Sequence, residues 1–188
     1  VYVSSQAGGG GGLIINEIMY DPLSNKSEWV ELFNATGQTL NLKGWKYKEA
    51  SSSVTLSAVD LYFNPGDYFI LVHDSTVYDI FDYLKSPKSN QTVKISTGIS
   101  LNNTGENLTI TDSLNNLIDA VEYNPEWNNP ELPDTKGISL ERIYPGLRSN
   151  DKSNWSSCTD IRGGTPGLRN SIFTGGVSSN SSVTVSPN

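Results

Sequence analysis

A chain of 188 residues, of which 36% are hydrophobic, has room for one domain with a sizeable core. Its formal charge of −7 and sequence pI near 4.6 exclude a protein that grips nucleic acid through clustered Lys and Arg, so no nucleic-acid partner is expected. No run approaches the roughly 18 consecutive apolar residues of a membrane helix, so no membrane insertion is expected. No signal peptide is recognisable, which favours a mature chain or a segment excised from a larger protein.

The two ends of the chain differ in composition from its middle. Residues 1–12 finish in five consecutive glycines, and residues 174–188 consist mainly of Ser, Gly, Asn, Thr and Val. Such compositions are typical of flexible linkers. We therefore expect an N-terminal linker or tail over residues 1–12, one folded domain over residues 13–173, and a C-terminal linker or tail over residues 174–188.

Within that domain, short strand-like runs alternate with turn residues, a pattern typical of a sandwich or barrel. The most apolar run, residues 68–72, follows a Pro-Gly turn and predicts a central strand that is buried on both faces. The predicted strands cover residues 13–20, 28–34, 40–47, 53–57, 67–73, 92–96, 107–112, 117–123 and 138–143.

One connection has a helical rather than a strand pattern. Val77, Ile80, Phe81 and Leu84 recur at the spacing i, i+3, i+4, i+7, which predicts one short amphipathic helix over residues 76–85. A helix in a connection leaves the predicted class all-β.

An ordered set of motifs runs through residues 13–170. The motifs are Asn16-Glu17-Ile18, Glu28-Trp29-Val30-Glu31-Leu32, Leu40-x-Leu42-x-Gly44-Trp45, Pro65-Gly66-x-Tyr68, Asn103-x-Gly105-Glu106, Ile118-Asp119-x-Val121-x-Tyr123, Gly137-x-Ser139-Leu140-Glu141-Arg142, Trp155 and Gly164-Thr165-Pro166-Gly167-x-x-Asn170. In this order they resemble the lamin tail domain family.

The resemblance implies an immunoglobulin-like β-sandwich that serves as a binding or structural module and has no catalytic apparatus. The chain is most similar to the exported microbial members of the family, because it contains no heptad-repeat rod, no basic nuclear-import run and no lipidation motif. An extracellular or cell-surface location is therefore expected.

Acidic residues on the first two predicted strands form the main candidate site. Alternation places Glu17 and Glu31 beside apolar side chains, and an unpaired buried carboxylate is costly. The best cationic partner in the sequence is Arg142. We predict a structural ion pair that joins Arg142 to Glu17 or Glu31 and ties the last core strand to the first two.

A calcium site is the alternative interpretation of the acidic residues, because carboxylate and amide oxygens suit that ion. Neither candidate group has the spacing of an EF-hand loop, so no cofactor or metal is expected. One group comprises Glu17, Asp21, Glu28 and Glu31, and the other comprises Asp112, Asn115, Asn116 and Asp119.

Catalytic chemistry has little support in the sequence. His73 is the only histidine and Cys158 the only cysteine, and there is no G-x-S-x-G elbow, phosphate-binding glycine loop or paired Cys/His metal spacing. We therefore expect no enzyme activity, with His73 at a strand end on the surface and Cys158 as an inert thiol.

Two further features concern the surface. Trp127 lies in a loop rich in Pro and Asn, where it either contacts a partner or a sugar or folds back over the sandwich edge. Seven Asn-x-Ser/Thr sequons are candidate glycosylation sites. They begin at Asn25, Asn34, Asn90, Asn102, Asn107, Asn154 and Asn180.

Three functions remain open on these grounds, with other protein domains or copies of the chain as partners. The first is a binding or structural module of an exported cell-surface protein. The second is a self-assembling subunit of an extracellular filament or surface layer, held by exchange of β-favouring tail segments at residues 1–3 and 183–185. The third is an accessory domain of a secreted hydrolase whose catalytic domain lies elsewhere.

Overall fold

The computed structural model describes residues 12–174, so the two predicted tails fall almost entirely outside the described residues. The described chain is built of β-strands joined by loops and 3₁₀ turns. The strands in chain order are β1 (Leu13–Met19), β2 (Trp29–Asn34), β3 (Leu40–Asn41), β4 (Lys46–Lys48), β5 (Ser53–Thr55), β6 (Tyr62–Phe63), β7 (Tyr68–Val72), β8 (Gln91–Ile95), β9 (Glu106–Thr111), β10 (Leu117–Tyr123), β11 (Leu140–Arg142) and β12 (Trp155–Ser157).

Two sheets pack face to face and confirm the predicted all-β, immunoglobulin-like sandwich. The larger sheet has six strands in the order β12-β11-β1-β2-β7-β8, and the smaller has four in the order β10-β9-β4-β5. A short β3-β6 ladder completes the described strands. All pairs in the two sheets are antiparallel except β7–β8, which is parallel. The hydrophobic core lies between the inner faces of the sheets.

Alternation along the strands explains this core. In β1, Ile15 and Ile18 point inward, and in β7 the inward residues are Phe69 and Leu71. They meet fully buried residues of the smaller sheet, namely Tyr47, Leu108, Ile110 and Val121. The outward residues of β7, Ile70 and Val72, enter a second apolar cluster. The prediction that β7 is buried on both faces is thus confirmed, although it lies next to the edge strand β8 and not at the sheet centre.

Besides shifts of one or two residues at strand ends, the structure divides one predicted strand and adds two others. The strand expected over residues 40–47 is divided into β3 and β4, because Gly44 has φ of +75° in the intervening turn. The short strands β6 and β12 were not predicted. Both contain only two or three residues, too few for a period-two pattern to be visible.

The predicted helix over residues 76–85 is wrong in type, since this segment forms two 3₁₀ turns, Ser75–Asp79 and Asp82–Lys85. Phe81, between them, has φ of −114° and ψ of 64°, which interrupts helical geometry. Its ring packs edge-on against Trp29 with a centroid separation of 5.9 Å. Val77, Phe81 and Leu84 are still buried and Ile80 is partly buried, so the pattern identified the buried face although tertiary packing sets the backbone.

Candidate functional site

A β-bulge in β1 shapes the outer face of the six-stranded sheet. The pairing of β1 with β2 shifts register between Ile15 and Glu17, so Asn16 is the extra residue. Ile15 remains in the inner core, whereas Asn16 and Glu17 both contact the C-terminal part of the chain. The bulge therefore places two consecutive polar side chains on one face.

Three glutamates lie side by side on this outer face. Glu17 of β1 is paired in register with Glu31 of β2 on one side and with Glu141 of β11 on the other. All three side chains have a relative exposure of 0%. Three neighbouring carboxyl groups without access to water are costly unless they are protonated or hydrogen-bonded. The rest of the site shows how that cost is offset.

A covering segment, residues 163–172, lies over the carboxyl groups and donates to each of them. The backbone N–H of Thr165 donates to Glu17 over 2.8 Å, and that of Gly167 donates to Glu31. The Ser171 hydroxyl contacts Glu141 at 2.7 Å. These donors bind the covering segment to the buried carboxyls and hold it against the sheet.

Two glycines allow the covering segment to approach so closely. Gly163 has φ of +79°, and a Cβ added there would lie 1.9 Å from the Gly137 carbonyl oxygen. A Cβ on Gly164 would lie 2.7 Å from the Trp29 ring. Only a residue without a side chain fits either position.

Counting hydrogens at Thr165 indicates a proton on the cluster. The Thr165 hydroxyl oxygen lies 2.7 Å from Glu141 Oε1 and 3.2 Å from Glu17 Oε2. A hydroxyl carries one hydrogen and can direct it at only one of these oxygens. The second contact becomes a hydrogen bond only when a carboxyl group carries a proton and donates it to the Thr165 oxygen.

Burial and neighbouring charges influence which carboxyl group holds that proton. Burial, followed by the charges of Glu31 and Glu141, raises the pKa of Glu17 well above its ordinary value. Burial also raises the pKa of Glu31 to about 8, against the opposing effect of hydrogen bonds from Asn16 and Gly167. Both shifts favour the protonated form of these carboxyls, and the contact between Glu17 Oε2 and the Thr165 hydroxyl points to Glu17 as the carboxyl that donates.

The cluster is suited to stabilising the fold rather than to chemistry on a substrate. A general acid must reach the atom that it protonates, and these carboxyls are enclosed. Glu17, Glu141 and Cys158 could each present one ligand atom to a metal, with the atoms within 4.8 Å of one another. Burial raises the pKa of the Cys158 thiol to about 12, which disfavours the thiolate that a metal requires.

The predicted ion pair between Arg142 and Glu17 or Glu31 is wrong. Successive residues of a strand point to opposite faces, so Glu141 lies on the face of Glu17 and Arg142 points into the sandwich. There its guanidinium lies 3.4 Å from Asp119 of the opposite sheet, and its Nε donates to the Ile15 carbonyl over 2.9 Å. Arg142 therefore ties the two sheets together through Asp119 and also bonds to the neighbouring strand β1 through the Ile15 carbonyl.

The calcium candidates do not converge. Asp21 pairs with Lys136 over 2.7 Å, and Glu28 accepts from the Leu101 N–H over 2.8 Å. Asp112 accepts from the N–H groups of Leu114 and Asn116. These bonds stabilise loops, including the turn between β9 and β10.

The other members of the calcium groups are engaged as well. Asp119 accepts from Arg142 and Ser149. Asn116 donates to Asp112 over 2.8 Å, and Asn115 adopts φ of 64° in the turn. Over residues 12–174, the one acidic group that brings three ligand atoms together is the enclosed cluster containing Cys158.

The sequons divide by burial. Asn34 and Asn154 are 1% and 0% exposed, and both side chains donate to backbone carbonyls, so neither amide is accessible to a glycan in the folded chain. Asn180 lies outside the described residues. The accessible sequons are the exposed Asn25, Asn102 and Asn107 and the half-buried Asn90.

Trp127 folds back over the sandwich edge, as one of its two predicted interpretations stated. Its ring lies 6.1 Å from that of Trp155 and packs against the main core. One side of it still lines a polar groove of about 430 Å³ with Glu122 and Lys152. The residue is therefore an edge component with a partly exposed face.

His73 and Cys158 show no catalytic arrangement. His73 Nδ1 lies 2.6 Å from the Ile99 carbonyl oxygen, and the neighbouring Asp74 carboxylate caps the following 3₁₀ turn through Thr76. Cys158 is buried and free. These contacts account for both residues as structural.

Sequence reasoning missed four residues that complete the carboxylate cluster: Asn16, Glu141, Thr165 and Asn170. Strict alternation from Leu140 would have placed Glu141 on the outer face, beside Glu17. The other three depend on a bulge and on contacts across about 150 residues of chain, which no local pattern reveals.

Comparison with known proteins gives the family. No helix among the described residues is long and apolar enough to cross a membrane. No curated protein matches the chain. A family model described as Lamin Tail Domain matches residues 6–125, well over half of the chain, a range that includes Glu17 and Glu31 and ends before the covering segment. The chain belongs to the lamin tail domain family.

Proposed function

We propose that this chain is a non-enzymatic binding or structural module of an exported cell-surface protein. The main observation in support is that Glu17, Glu31 and Glu141 are enclosed and that their carboxyl groups are all bonded to protein donors. Such a cluster maintains a rigid sandwich and leaves loops and grooves for recognition. It is also consistent with the family, whose immunoglobulin-like domain is not catalytic.

Surface composition supports export. Three sequons, at Asn25, Asn102 and Asn107, lie on exposed positions, which a glycosylating secretory route would use. The net charge of −7 suits a soluble surface. The lone Cys158 is buried, so the described surface carries no thiol that an oxidising compartment would crosslink.

Protease treatment of intact source cells tests the location. An antibody against the folded domain should lose its signal when intact cells are treated with a non-permeant protease, while a cytoplasmic marker survives. A signal that disappears only after lysis would overturn the proposal. Separately, the purified chain should hydrolyse no phosphodiester, phosphomonoester, ester or glycoside substrate above a buffer control.

A second candidate function, self-assembly into a filament or layer, is favoured by one feature of the larger sheet. Strand β8 lies at its edge, and the β7 pairing directs the N–H and C=O of Val93 and Ile95 away from the sheet. No hydrogen bond within residues 12–174 engages these groups. Such an edge accepts an added strand.

Light scattering tests self-assembly. If β8 is the assembly edge, Ile95→Lys should dissociate assemblies of the full chain, because it places a charge at a position that is 50% exposed. Leu117→Lys on β10, at a position 45% exposed, is the matched control and should leave them intact. Deleting residues 175–188 should also dissociate them, and an unchanged assembly state would rule out tail exchange.

A further inference from the structure

A groove of about 270 Å³ opens on the outer face of the six-stranded sheet, beside the covering segment. Phe33 and Tyr68, paired across β2 and β7, form one wall with ring centroids 5.0 Å apart. Phe173 and Arg169 line the groove from the C-terminal side, and Asn16 from β1. The groove thus combines aromatic surface, a cation and an amide.

The amide of Asn16 has an acceptor to spare. Asn16 is only 4% exposed, and its Nδ2 donates to Glu31 Oε1 and to Asn170 Oδ1, each over 2.8 Å. Flipping the amide would set oxygen against two acceptors, so its orientation is fixed. Within residues 12–174 no donor reaches Oδ1, and this atom is not fully closed off from solvent. Asn16 thus contributes an acceptor without a protein donor to the lining of the groove.

Arg169 supplies a positive charge at the rim. Its guanidinium carbon lies 3.9 Å from the centroid of the Phe173 ring, which holds the side chain flat against that ring. In the described part of the chain no carboxylate lies within ion-pair distance of it, and the residue is exposed. An anionic group entering the groove would find this guanidinium without a competing partner.

A ligand that matches all these groups must offer a flat apolar face, a hydrogen-bond donor and an anion within the size of one ring. A pyranose ring with a carboxylate meets each demand, because its C–H face stacks on aromatic rings while hydroxyls surround it. An apolar peptide side chain in the same groove would cover Asn16 Oδ1 without giving it a donor, which is unfavourable.

We propose that this groove is a binding site for uronic-acid residues of an acidic polysaccharide. The carboxylate of the sugar pairs with Arg169, one hydroxyl donates to Asn16 Oδ1, and the ring stacks on Phe33 and Tyr68. This inference rests on the proposed function of a surface binding module, since it names the ligand class. It is independent of the protease-accessibility test.

Titration calorimetry of the full chain with tetragalacturonate, a glucuronate-containing tetrasaccharide, cellotetraose and a C-terminal-carboxylate tetrapeptide tests the site. We expect at least one uronate probe to bind at least about tenfold more tightly than cellotetraose, the margin given by one charged hydrogen bond. The two uronate probes distinguish which acidic sugar is preferred. Raising the salt concentration should weaken binding, because the pair at Arg169 is exposed.

Matched variants make the test specific. Arg169→Ala should lower uronate affinity about tenfold, and Phe33→Leu, which keeps an apolar side chain but removes the aromatic face, should lower it to a similar degree. Arg148→Ala, at an exposed arginine outside the groove, is the control and should bind as the native chain does. Three results would overturn the proposal: no uronate binding, uronate binding equal in Arg169→Ala, or tighter binding of the tetrapeptide.

Discussion

Replacing Glu17 by Gln should stabilise the protein at alkaline pH and change little at acidic pH. If Glu17 is protonated, Gln has the same heavy-atom shape and differs by one additional N–H hydrogen. The amide oxygen accepts from Ser139 and from the Thr165 N–H as Glu17 Oε1 does, and the amide nitrogen donates to the Thr165 hydroxyl as the protonated Oε2 does. The substitution thus removes a titratable group and keeps its hydrogen bonds.

The sign of the pH dependence follows from the raised pKa values. A carboxyl whose pKa is higher in the folded state binds more protons there than in the unfolded chain. Its contribution to stability is complete below the unfolded value near 4.5 and declines as pH rises toward the folded value. For Glu31, whose pKa rises from 4.5 to about 8, this is roughly 4–5 kcal/mol as an upper bound, at about 1.4 kcal/mol per unit.

For Glu17→Gln we therefore expect a free energy of unfolding within about 1 kcal/mol of the native chain at pH 4.5. At pH 8 the variant should be more stable by about 1–4 kcal/mol, the range seen when buried charged groups are replaced by neutral ones. Urea denaturation at several pH values between these limits measures both. Other carboxylates, such as Asp160 with its lowered pKa, are present in both chains. Their contribution to the pH dependence therefore cancels in the difference between variant and native chain.

Glu122→Gln is the control, because Glu122 is an exposed glutamate on β10. Its difference from the native chain should be small and independent of pH. If Glu17→Gln instead loses more stability at pH 8 than at pH 4.5, Glu17 is an ionised acceptor and the hydrogen count at Thr165 is wrong.

Three other outcomes are expected. Arg142→Met should lower the free energy of unfolding by about 3–5 kcal/mol, because it leaves the Asp119 carboxylate buried and unpaired, and adding Asp119→Asn should recover part of this loss in chemical denaturation. Gly163→Ala should lower the melting temperature strongly, since its φ is +79° and backbone occupies the Cβ position, whereas Gly37→Ala, with nothing within 4 Å, should not. Cys158 should react with a thiol reagent far more slowly in the native protein than in denaturant, because its pKa is raised to about 12, and equal rates would contradict its burial.

Local patterns predicted the fold well because a sandwich is specified strand by strand. The continuous apolar run at residues 68–72 and the turn between β9 and β10 are determined by neighbouring residues. The 3₁₀ turns were predicted as a helix because Val77, Phe81 and Leu84 have helical spacing. Only the contact of Phe81 with Trp29, distant in sequence, shows why the segment is not a continuous helix.

The candidate site was harder to predict because it depends on which face each charge occupies. Glu17 and Glu31 were recognised as buried acids, and the search for a cation led to Arg142. Arg142 directly follows Glu141 in β11. Because successive side chains of a strand point to opposite faces, Arg142 points away from the face that carries the glutamates. The sequence near Glu17 gives no sign that a bound proton neutralises the carboxyl group, or that its donors come from a segment about 150 residues away.

The paired amides of Asn16 and Asn170 also determine how the domain would respond to pulling. Asn16 donates to Asn170 over 2.8 Å, and Asn170 donates back to the Asn16 carbonyl over 3.0 Å. Tension that enters through β1 and leaves through the covering segment would be carried by these two bonds together with the β1–β2 ladder, which pairs residues 13–15 with β2 ahead of Asn16. The amide pair thus joins the first strand to the covering segment directly and contributes to the resistance of the domain to unfolding by force.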